Sequence, residues 1–539
     1  MFKKVLIANR GEIACRIIRT LRRMEIRSFA LYSEADEGAL HAQMADEAFF
    51  LGPAPAQESY LKGEAIIKIA KEMGVEAIHP GYGFLSENAA FAAAVQQAGL
   101  VFIGPPSQVI AIMGDKLEAK KRAHLARVSC LPGTDMPLAD LQKAQKVAAE
   151  IGYPIMVKAA AGGGGKGMRI VKNSDDLLGA IKSAMSEAES SFGDSRIFLE
   201  KYIENARHIE IQILADTFGN ALHLGERECS LQRRHQKVIE EAPSSFVTSA
   251  LREKMTEAAL RLVKEVQYHS VGTVEFVVSP DQTFYFLEMN TRLQVEHPTT
   301  EMVTGLDLVE EMVRIAAKEP LRYQQKDIHF KGHAIEARIY SEDSTRGFLP
   351  SIGYLSSYRE PFMENEEVRI ESGVREGDVI SPFYDPMISK LCVHQPDREQ
   401  ASSKLLSALN EFYIRGVSTN ISFLSSLVHT PLFKKAAFNT ATLDEIYENG
   451  FTPAMSPHPQ IPIGVAAVMS LIQNHLNKAE FTVLIDKQPY PVKISLEKGT
   501  YRIDNLHIKT EWKPGEVLFK GIFNGQNITL QIDKRGSFI

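Results

Sequence analysis

Between residues 284 and 297 (Phe-Tyr-Phe-Leu-Glu-Met-Asn-Thr-Arg-Leu-Gln-Val-Glu-His), every second position from Glu288 to Glu296 is polar or charged. In a strand, residues two apart share a face. Glu288, Asn290, Arg292, Gln294 and Glu296 would then stand in one row. Such a row is either the wet face of a half-exposed strand or a place where ions are handled. The preceding run, 271–278, is apolar and β-branched with one carboxylate, Glu275, and Ser279-Pro280-Asp281-Gln282-Thr283 supplies turn chemistry. A four-residue loop over 280–283 sets Ser279 against Phe284 and Glu275 opposite Glu288. Facing carboxylates repel. A hard divalent cation between them, Mg²⁺ or Mn²⁺, turns that repulsion into a binding site.

A second signal lies upstream. Residues 153–158 read as a strand ending in Lys158, and Arg169-Ile170-Val171 as a returning strand. Between them, Gly162, Gly163, Gly164, Gly165, Lys166, Gly167 and Met168 form a loop whose bare backbone N–H groups can close over phosphates. A strand follows where a dinucleotide fold needs a helix, and Gly167 stands where a P-loop needs Ser or Thr. What remains is a glycine flap between antiparallel strands. Lys116 opens a predicted helix over 117–126, where a cation opposes the macrodipole; it either snorkels into water or meets an anion. Arg338 sits on an alternating strand over 332–340 with Glu336 on the same face, and read alone the two form a structural salt bridge.

The elements that must position these groups follow from pattern. In 539 residues several domains are expected. Apolar content of 44% and charged content of 24% are those of an ordinary globular chain, and a net charge of −6 argues against nucleic acid as the main partner. Four scattered cysteines (Cys15, Cys130, Cys229, Cys392) give neither a zinc pattern nor a disulfide framework, and fit reduced thiols in the cytoplasm. No apolar run has the length of a membrane span. Strands at 5–8, 28–32, 77–78 and 101–103 alternate with helices at 13–21 and 65–73, which predicts a doubly wound parallel sheet. The Gly/Pro-rich stretch 79–88 (His-Pro-Gly-Tyr-Gly-Phe-Leu-Ser-Glu-Asn) falls at the carboxyl end of one strand, where such sheets bind ligands.

After Phe451 the character changes. Residues 452–462 read as a proline-rich linker and 464–472 as a helix apolar on most sides, which needs a surrounding wall. Strands at 481–485, 490–495, 500–503, 506–512, 517–523 and 528–532 supply it.

Together, 153–168, 286–297, 7–14 (Ile-Ala-Asn-Arg-Gly-Glu-Ile-Ala), 79–88 and 232–237 (Gln-Arg-Arg-His-Gln-Lys) resemble the collinear motifs of the biotin carboxylases, which are ATP-grasp enzymes. The resemblance spans about residues 1–446. The helix and strands beyond look like the carboxyltransferase-contacting domain of acyl-CoA carboxylase α subunits. The implied architecture is α/β: an N-terminal parallel-sheet domain (1–114), an ATP-grasp domain (115–330, lid about 131–204), an α+β C-terminal carboxylase domain (331–450), and a helix surrounded by antiparallel strands (451–539).

The resemblance implies that Lys116, Lys158, the glycine lid and His208 hold ATP phosphates. It gives Glu200, Lys201, Tyr202 and Ile203 to adenine, and Gln232 and His235 to the nucleotide side. Glu275, Glu288 and Asn290 would ligate Mg²⁺ or Mn²⁺. Lys237, Arg292, Gln294 and the backbone of Val295 would hold bicarbonate, with Glu296 as its base. Arg338 would face the biotin ureido oxygen, and Tyr82 also contacts substrate.

The implied reaction is ATP- and bicarbonate-dependent carboxylation of biotin N1′ through carboxyphosphate, the first half-reaction of an acyl-CoA carboxylase. A carboxyltransferase subunit and a homodimer or larger hetero-oligomer are implied with it. No Ala-Met-Lys-Met biotinylation site occurs in the sequence, so biotin is expected as a carrier-borne substrate not covalently attached to these residues, the carrier being either a separate protein or a domain removed by truncation. No step asks for a cysteine nucleophile, and Cys229 is read as structural. Two alternatives stand beside this reading, another ATP-grasp carboxylate ligase and a non-catalytic scaffold subunit.

Overall fold

The computed structural model describes residues 1–138, 141–161, 167–362, 367–453, 460–485 and 487–533. The chain opens with five short strands: β1 (Lys4–Ile7), β2 (Arg27–Ser33), β3 (Glu47–Gly52), β4 (Ala77–His79) and β5 (Val101–Phe102). They form one parallel sheet in the order β3-β2-β1-β4-β5. Parallel neighbours need crossovers, and α1 (Gly11–Arg23), α2 (Gly63–Glu72) and α3 (Ala89–Gln97) are among them. The chain switches direction across the sheet at β1 and β4, so the loops after these two strands flank a crevice. Strand β3 has no counterpart in the sequence reading, since Glu-Ala-Phe-Phe-Leu-Gly does not alternate and sits half-buried at the edge.

Helix α4 (Lys116–Leu125) follows, capped by Asp115, whose side chain accepts the N–H groups of Leu117 and Glu118. A small antiparallel sheet comes next, in the order β7-β6-β8, from β6 (Ile155–Ala159), β7 (Met168–Val171) and β8 (Ile197–Lys201). Gly162, Gly163, Gly164, Gly165 and Lys166 lie outside the described residues. Gly167, which re-enters β7, has φ +70°, and a Cβ there would come 2.8 Å from Cβ of Ala159. Only glycine fits that return without strain.

The largest sheet has eight strands, ordered β13-β12-β9-β10-β11-β14-β16-β15 and antiparallel throughout. Its members are β9 (Arg207–Ala215), β10 (Ala221–Arg233), β11 (Gln236–Ala242), β12 (Ser270–Val278), β13 (Phe284–Asn290), β14 (His333–Tyr340), β15 (Val368–Ser372) and β16 (Met387–Gln395). The pairing of β11 with β14 carries this sheet across residue 330 without a break. Helices α5 (His297–Thr304) and α6 (Arg398–Glu411) pack on it.

The final unit is α7 (Gln460–Gln473) under a six-stranded meander, β17 (Lys478–Ile485), β18 (Gln488–Glu497), β19 (Thr500–Ile503), β20 (Leu506–Thr510), β21 (Leu518–Phe523) and β22 (Gln526–Gln531), paired in chain order. Buried Val465, Val468, Met469 and Leu471 of α7 meet Val492, Ile494, Ile508 and Phe519 of the strands. The helix begins inside the stretch read as linker, because a proline (here Pro462) is tolerated in a first helical turn. No described helix is long and apolar enough to cross a membrane.

Candidate active site

Three segments expected to do chemistry converge on one cavity of about 860 Å³. Glu275 of β12 stands opposite Glu288 of β13, but not through the expected turn. The loop holds five residues, so Val278 rather than Ser279 faces Phe284. A bulge then absorbs Leu287 and brings the register back at Glu288. The expected row of alternating residues also stops early, because β13 ends at Asn290. The N–H of Thr291 turns to Glu87 Oε1 at 3.0 Å instead of a ladder partner. Arg292, Gln294 and Glu296 therefore sit on a turn leading into α5, not on a strand face. Folding that turn back still points all three into the cavity.

Electrostatics at the floor centre on Lys237 of β11, which is 2.6 Å from both Glu210 and Glu296 and 3.0 Å from Glu275. Burial pulls its ammonium pKa down, but Cys229, Glu210, Glu275 and Glu296 hold it well above the ordinary lysine value. Arg338 of β14 reaches Glu240 at 2.6 Å and Glu296 at 2.9 Å. Glu336, the partner read for it from sequence, is bonded instead by the Cys392 thiol at 3.3 Å. Burial works to raise the Glu296 carboxyl, yet Lys237, Arg338 and Arg227 hold it well below the carboxylate range. Glu296 is thus an ionised acceptor between two cations.

Arg292 is oriented by Glu87 (2.8 Å), Gln294 (2.7 Å) and Asn290 (3.1 Å). The amides of Asn290 and Gln294 donate to Glu275 at 2.8 and 3.2 Å. Burial and the charge of Glu275 raise the Glu288 carboxyl. Two carboxylates in mutual repulsion beside an amide oxygen are a donor set that fits a hard divalent cation. Asn290 would then exchange its bond to Arg292 for the metal.

Lys116, Lys158, Met168, His208, Gln232 and His235 line the same cavity. His208 Nε2 is 3.1 Å from Glu275, while its Nδ1 meets the Gln232 amide at 3.0 Å. Arg234 and His235, both at positive φ, make the two-residue turn between β10 and β11. Lys158 donates to Glu200 at 2.6 Å. Of the stretch read as an adenine hinge, the N–H groups of Lys201 and Tyr202 are engaged by the carbonyls of Pro132 and Pro154. Glu200, Lys201, Tyr202 and Ile203 do not line the cavity. Tyr82 does, and its hydroxyl bonds Glu12. Burial pushes the Cys229 thiol well up, which leaves it unreactive.

Sequence reasoning assigned no role to Glu87, Glu210, Arg227 or Glu240. Glu210 carries a signal in the pattern, since His208, Glu210 and Gln212 alternate on β9. Arg227, wholly buried, donates to Glu210 (2.5 Å), Gln212 (2.6 Å) and Thr300 (2.8 Å), so it holds the floor from beneath.

Comparison with known proteins matches residues 1–110 to the biotin carboxylase N-terminal domain and 336–445 to the biotin carboxylase C-terminal domain. Residues 115–324 match the carbamoyl-phosphate synthase L chain ATP binding domain, and 469–538 the propionyl-coenzyme A carboxylase BT domain. The propionyl-CoA carboxylase alpha chain of Ruegeria pomeroyi is 45% identical over 573 residues, covering 99% of this chain and 84% of that one. The chain belongs to the biotin carboxylases. The biotin carboxylase of Halalkalibacterium halodurans is 52% identical over 441 residues, 82% of this chain and 97% of that protein. Among solved structures, the biotin carboxylase domain dimer of Hydrogenobacter thermophilus 2-oxoglutarate carboxylase, in complex with MgADP, ADP and bicarbonate, superposes with a TM-score of 0.80 at 47% identity, over 83% of this chain and 98% of that one. As a member of this family the chain is a ligase, and its fold class is the α/β ATP-grasp architecture anticipated from sequence.

Proposed function

We propose that the cavity carboxylates N1′ of biotin presented on a carrier, using ATP and bicarbonate, as the first half-reaction of an acyl-CoA carboxylase. One observation carries the assignment of roles. A single ionised carboxylate, Glu296, stands between Lys237 and Arg338 in a cavity that Lys116, Glu288 and Arg292 also line.

Lys116, Lys158 and His208, which line the cavity, would meet the phosphates together with the glycine loop, and Glu275, Glu288 and Asn290 would hold Mg²⁺ or Mn²⁺. The cation, when bound, offsets charge on the transferring phosphoryl group. Arg292, Gln294 and Lys237 orient bicarbonate, and Glu296 accepts its proton. A bicarbonate oxygen then attacks the γ-phosphorus, and ADP leaves. Carboxyphosphate breaks into CO₂ and phosphate, and phosphate takes the N1′ proton. Arg338, always cationic and fork-shaped, stabilises the ureido enolate that attacks CO₂.

As working units we divide the chain at 1–114, 115–330, 331–450 and 451–539. The last unit is read as the surface for a carboxyltransferase partner, within a homodimer or larger assembly in the cytoplasm. The acyl-CoA is then selected by that partner.

The test is ADP release with Mg²⁺ and bicarbonate, with and without free biotin at high concentration. A rise that needs both bicarbonate and biotin supports the reading, and bicarbonate-dependent release indifferent to biotin or to a biotinylated carrier contradicts it. Glu296→Ala should lower the bicarbonate-dependent rate by about 10²- to 10⁴-fold while ATP still binds, measured by calorimetry.

A further inference from the structure

One charged side chain that contacts the cavity lining has no part in the steps above. Lys390, on β16, is fully buried at 0% exposure. A lysine that deep is expensive unless its charge is met. Its Nζ donates to the Val295 carbonyl at 2.8 Å and lies 3.0 Å from Glu12 Oε1. It also stands 5.8 Å from the centre of the Tyr82 ring. Burial lowers its ammonium pKa, but Glu12, Glu336 and Glu371 keep it above the ordinary lysine value.

These contacts join three distant parts of the chain. Val295 belongs to the turn between β13 and α5, Glu12 to the first turn of α1, and Tyr82 to the loop after β4. All three line the cavity. The Tyr82 hydroxyl bonds the second Glu12 oxygen, and the Asn9 amide donates to the carbonyls of Pro80 and Tyr82 at 2.7 Å each. Gly373 packs against the backbone of the same residue, where a Cβ would lie 2.3 Å from the Glu12 backbone nitrogen. Glu12 is therefore held at its backbone by close packing and at its carboxylate by Lys390 and Tyr82.

The turn itself is anchored at two successive carbonyls. Lys390 takes that of Val295, and the His297 Nδ1 takes that of Gln294 at 2.8 Å. Since a peptide unit is planar, holding the Val295 carbonyl fixes the plane that ends at the Cα of Glu296. An error of about 1 Å at a reacting group can cost about 10²-fold in rate.

We infer that Lys390 is a positioning residue for this half-reaction: by gripping the Val295 carbonyl and Glu12 together, it sets the turn bearing Gln294 and Glu296 against the Tyr82 loop. It touches no reacting atom. The inference rests on the function proposed above.

The test uses the full chain and compares wild type with Lys390→Met and Glu12→Gln. Michaelis constants for ATP, bicarbonate and free biotin are read from ADP release. Wild-type release that depends on bicarbonate and biotin is required first; its absence defeats the functional reading and says so independently of Lys390. The expected result for Lys390→Met is a bicarbonate KM raised about tenfold, with the ATP KM within about twofold. Glu12→Gln should show the same split at about threefold. A folded Lys390→Met with unchanged bicarbonate KM overturns the inference, as does an equal loss for ATP and bicarbonate, which marks general destabilisation. If Lys390→Met fails to fold, Glu12→Gln decides on the same split, and an unchanged bicarbonate KM in it is equally fatal.

Discussion

Glu288 is under opposing demands. Burial and the facing Glu275 favour its neutral form, while a role as metal ligand requires the anion. Replacing Glu288 with Gln removes the repulsion but also a charged ligand. Glu288→Gln should therefore raise the Mg²⁺ concentration needed for half-maximal ADP release about tenfold or more, and an unchanged metal titration would contradict the role. Glu336 has a different signature. Burial pushes its carboxyl up to about 8, from an ordinary value of 4.5, although Lys390 opposes the shift. Between those values the folded state keeps a proton that the unfolded chain has lost. This group therefore makes stability fall as pH rises, by up to about 1.4 kcal/mol per pH unit. Glu336→Gln removes that slope, so the drop in thermal midpoint between about pH 6 and about pH 8 should shrink. A drop as large as in wild type would show that Glu336 ionises normally.

Elements convert these residues into geometry, and here the sequence was readable in part. The six strands of the meander and the five-membered parallel sheet, less its edge strand, follow from alternation and apolar runs. The Glu275–Glu288 pair was reached through a turn one residue too short, and the bulge at Leu287 hid the error, because nothing in Phe-Leu-Glu distinguishes a bulged from a regular strand. The strand reading of Arg292, Gln294 and Glu296 failed for a related reason. Their spacing of two serves a turn as well as a strand, and the Thr291 N–H that ends β13 is accepted by Glu87, about two hundred residues away in the chain. Arg338 was paired with Glu336 by spacing, whereas its partner Glu240 lies on the neighbouring strand β11, which local pattern cannot reveal. Helix α4 offers a test at this scale. Its cap, Asp115, accepts N–H groups of Leu117 and Glu118 at 3.0 and 3.1 Å, next to Lys116. Asp115→Ala should cost about 1 kcal/mol of stability. It should also raise the KM for ATP as Lys116 loses its frame, and an unaltered KM would free Lys116 from the nucleotide.

At the level of the whole molecule, the eight-stranded sheet joins the Glu275–Glu288 pair, Lys237 and Arg338 on one continuous surface, so no hinge separates them. The last unit meets the carboxylase portion through polar contacts, among them Lys520 with Glu411 at 2.9 Å. Arg415 pairs with Asp533 at 2.8 Å and Tyr413 bonds the same carboxylate at 2.6 Å, while the Gln531 amide donates to the carbonyls of Asn410 and Phe412. Exposed pairs of this kind contribute only about 0.2–1 kcal/mol each. Arg415→Ala should therefore speed amide hydrogen exchange in β22 while leaving bicarbonate-dependent ADP release unchanged. Slower ADP release would mean that the meander braces the active site.

The contact between Gly373 and the backbone of Glu12 bears on how such chains can be recombined. Residues 11–12 and 373 lie at opposite ends of the carboxylase portion yet meet with no room for a methyl group. A chimera that took its amino-terminal sheet from one relative and its carboxyl-terminal domain from another would have to inherit both sides of this seam, Glu12 together with Gly373 and Lys390. A single crossover placed within the ATP-grasp segment splits that set, so the two outer parts must come from one parent.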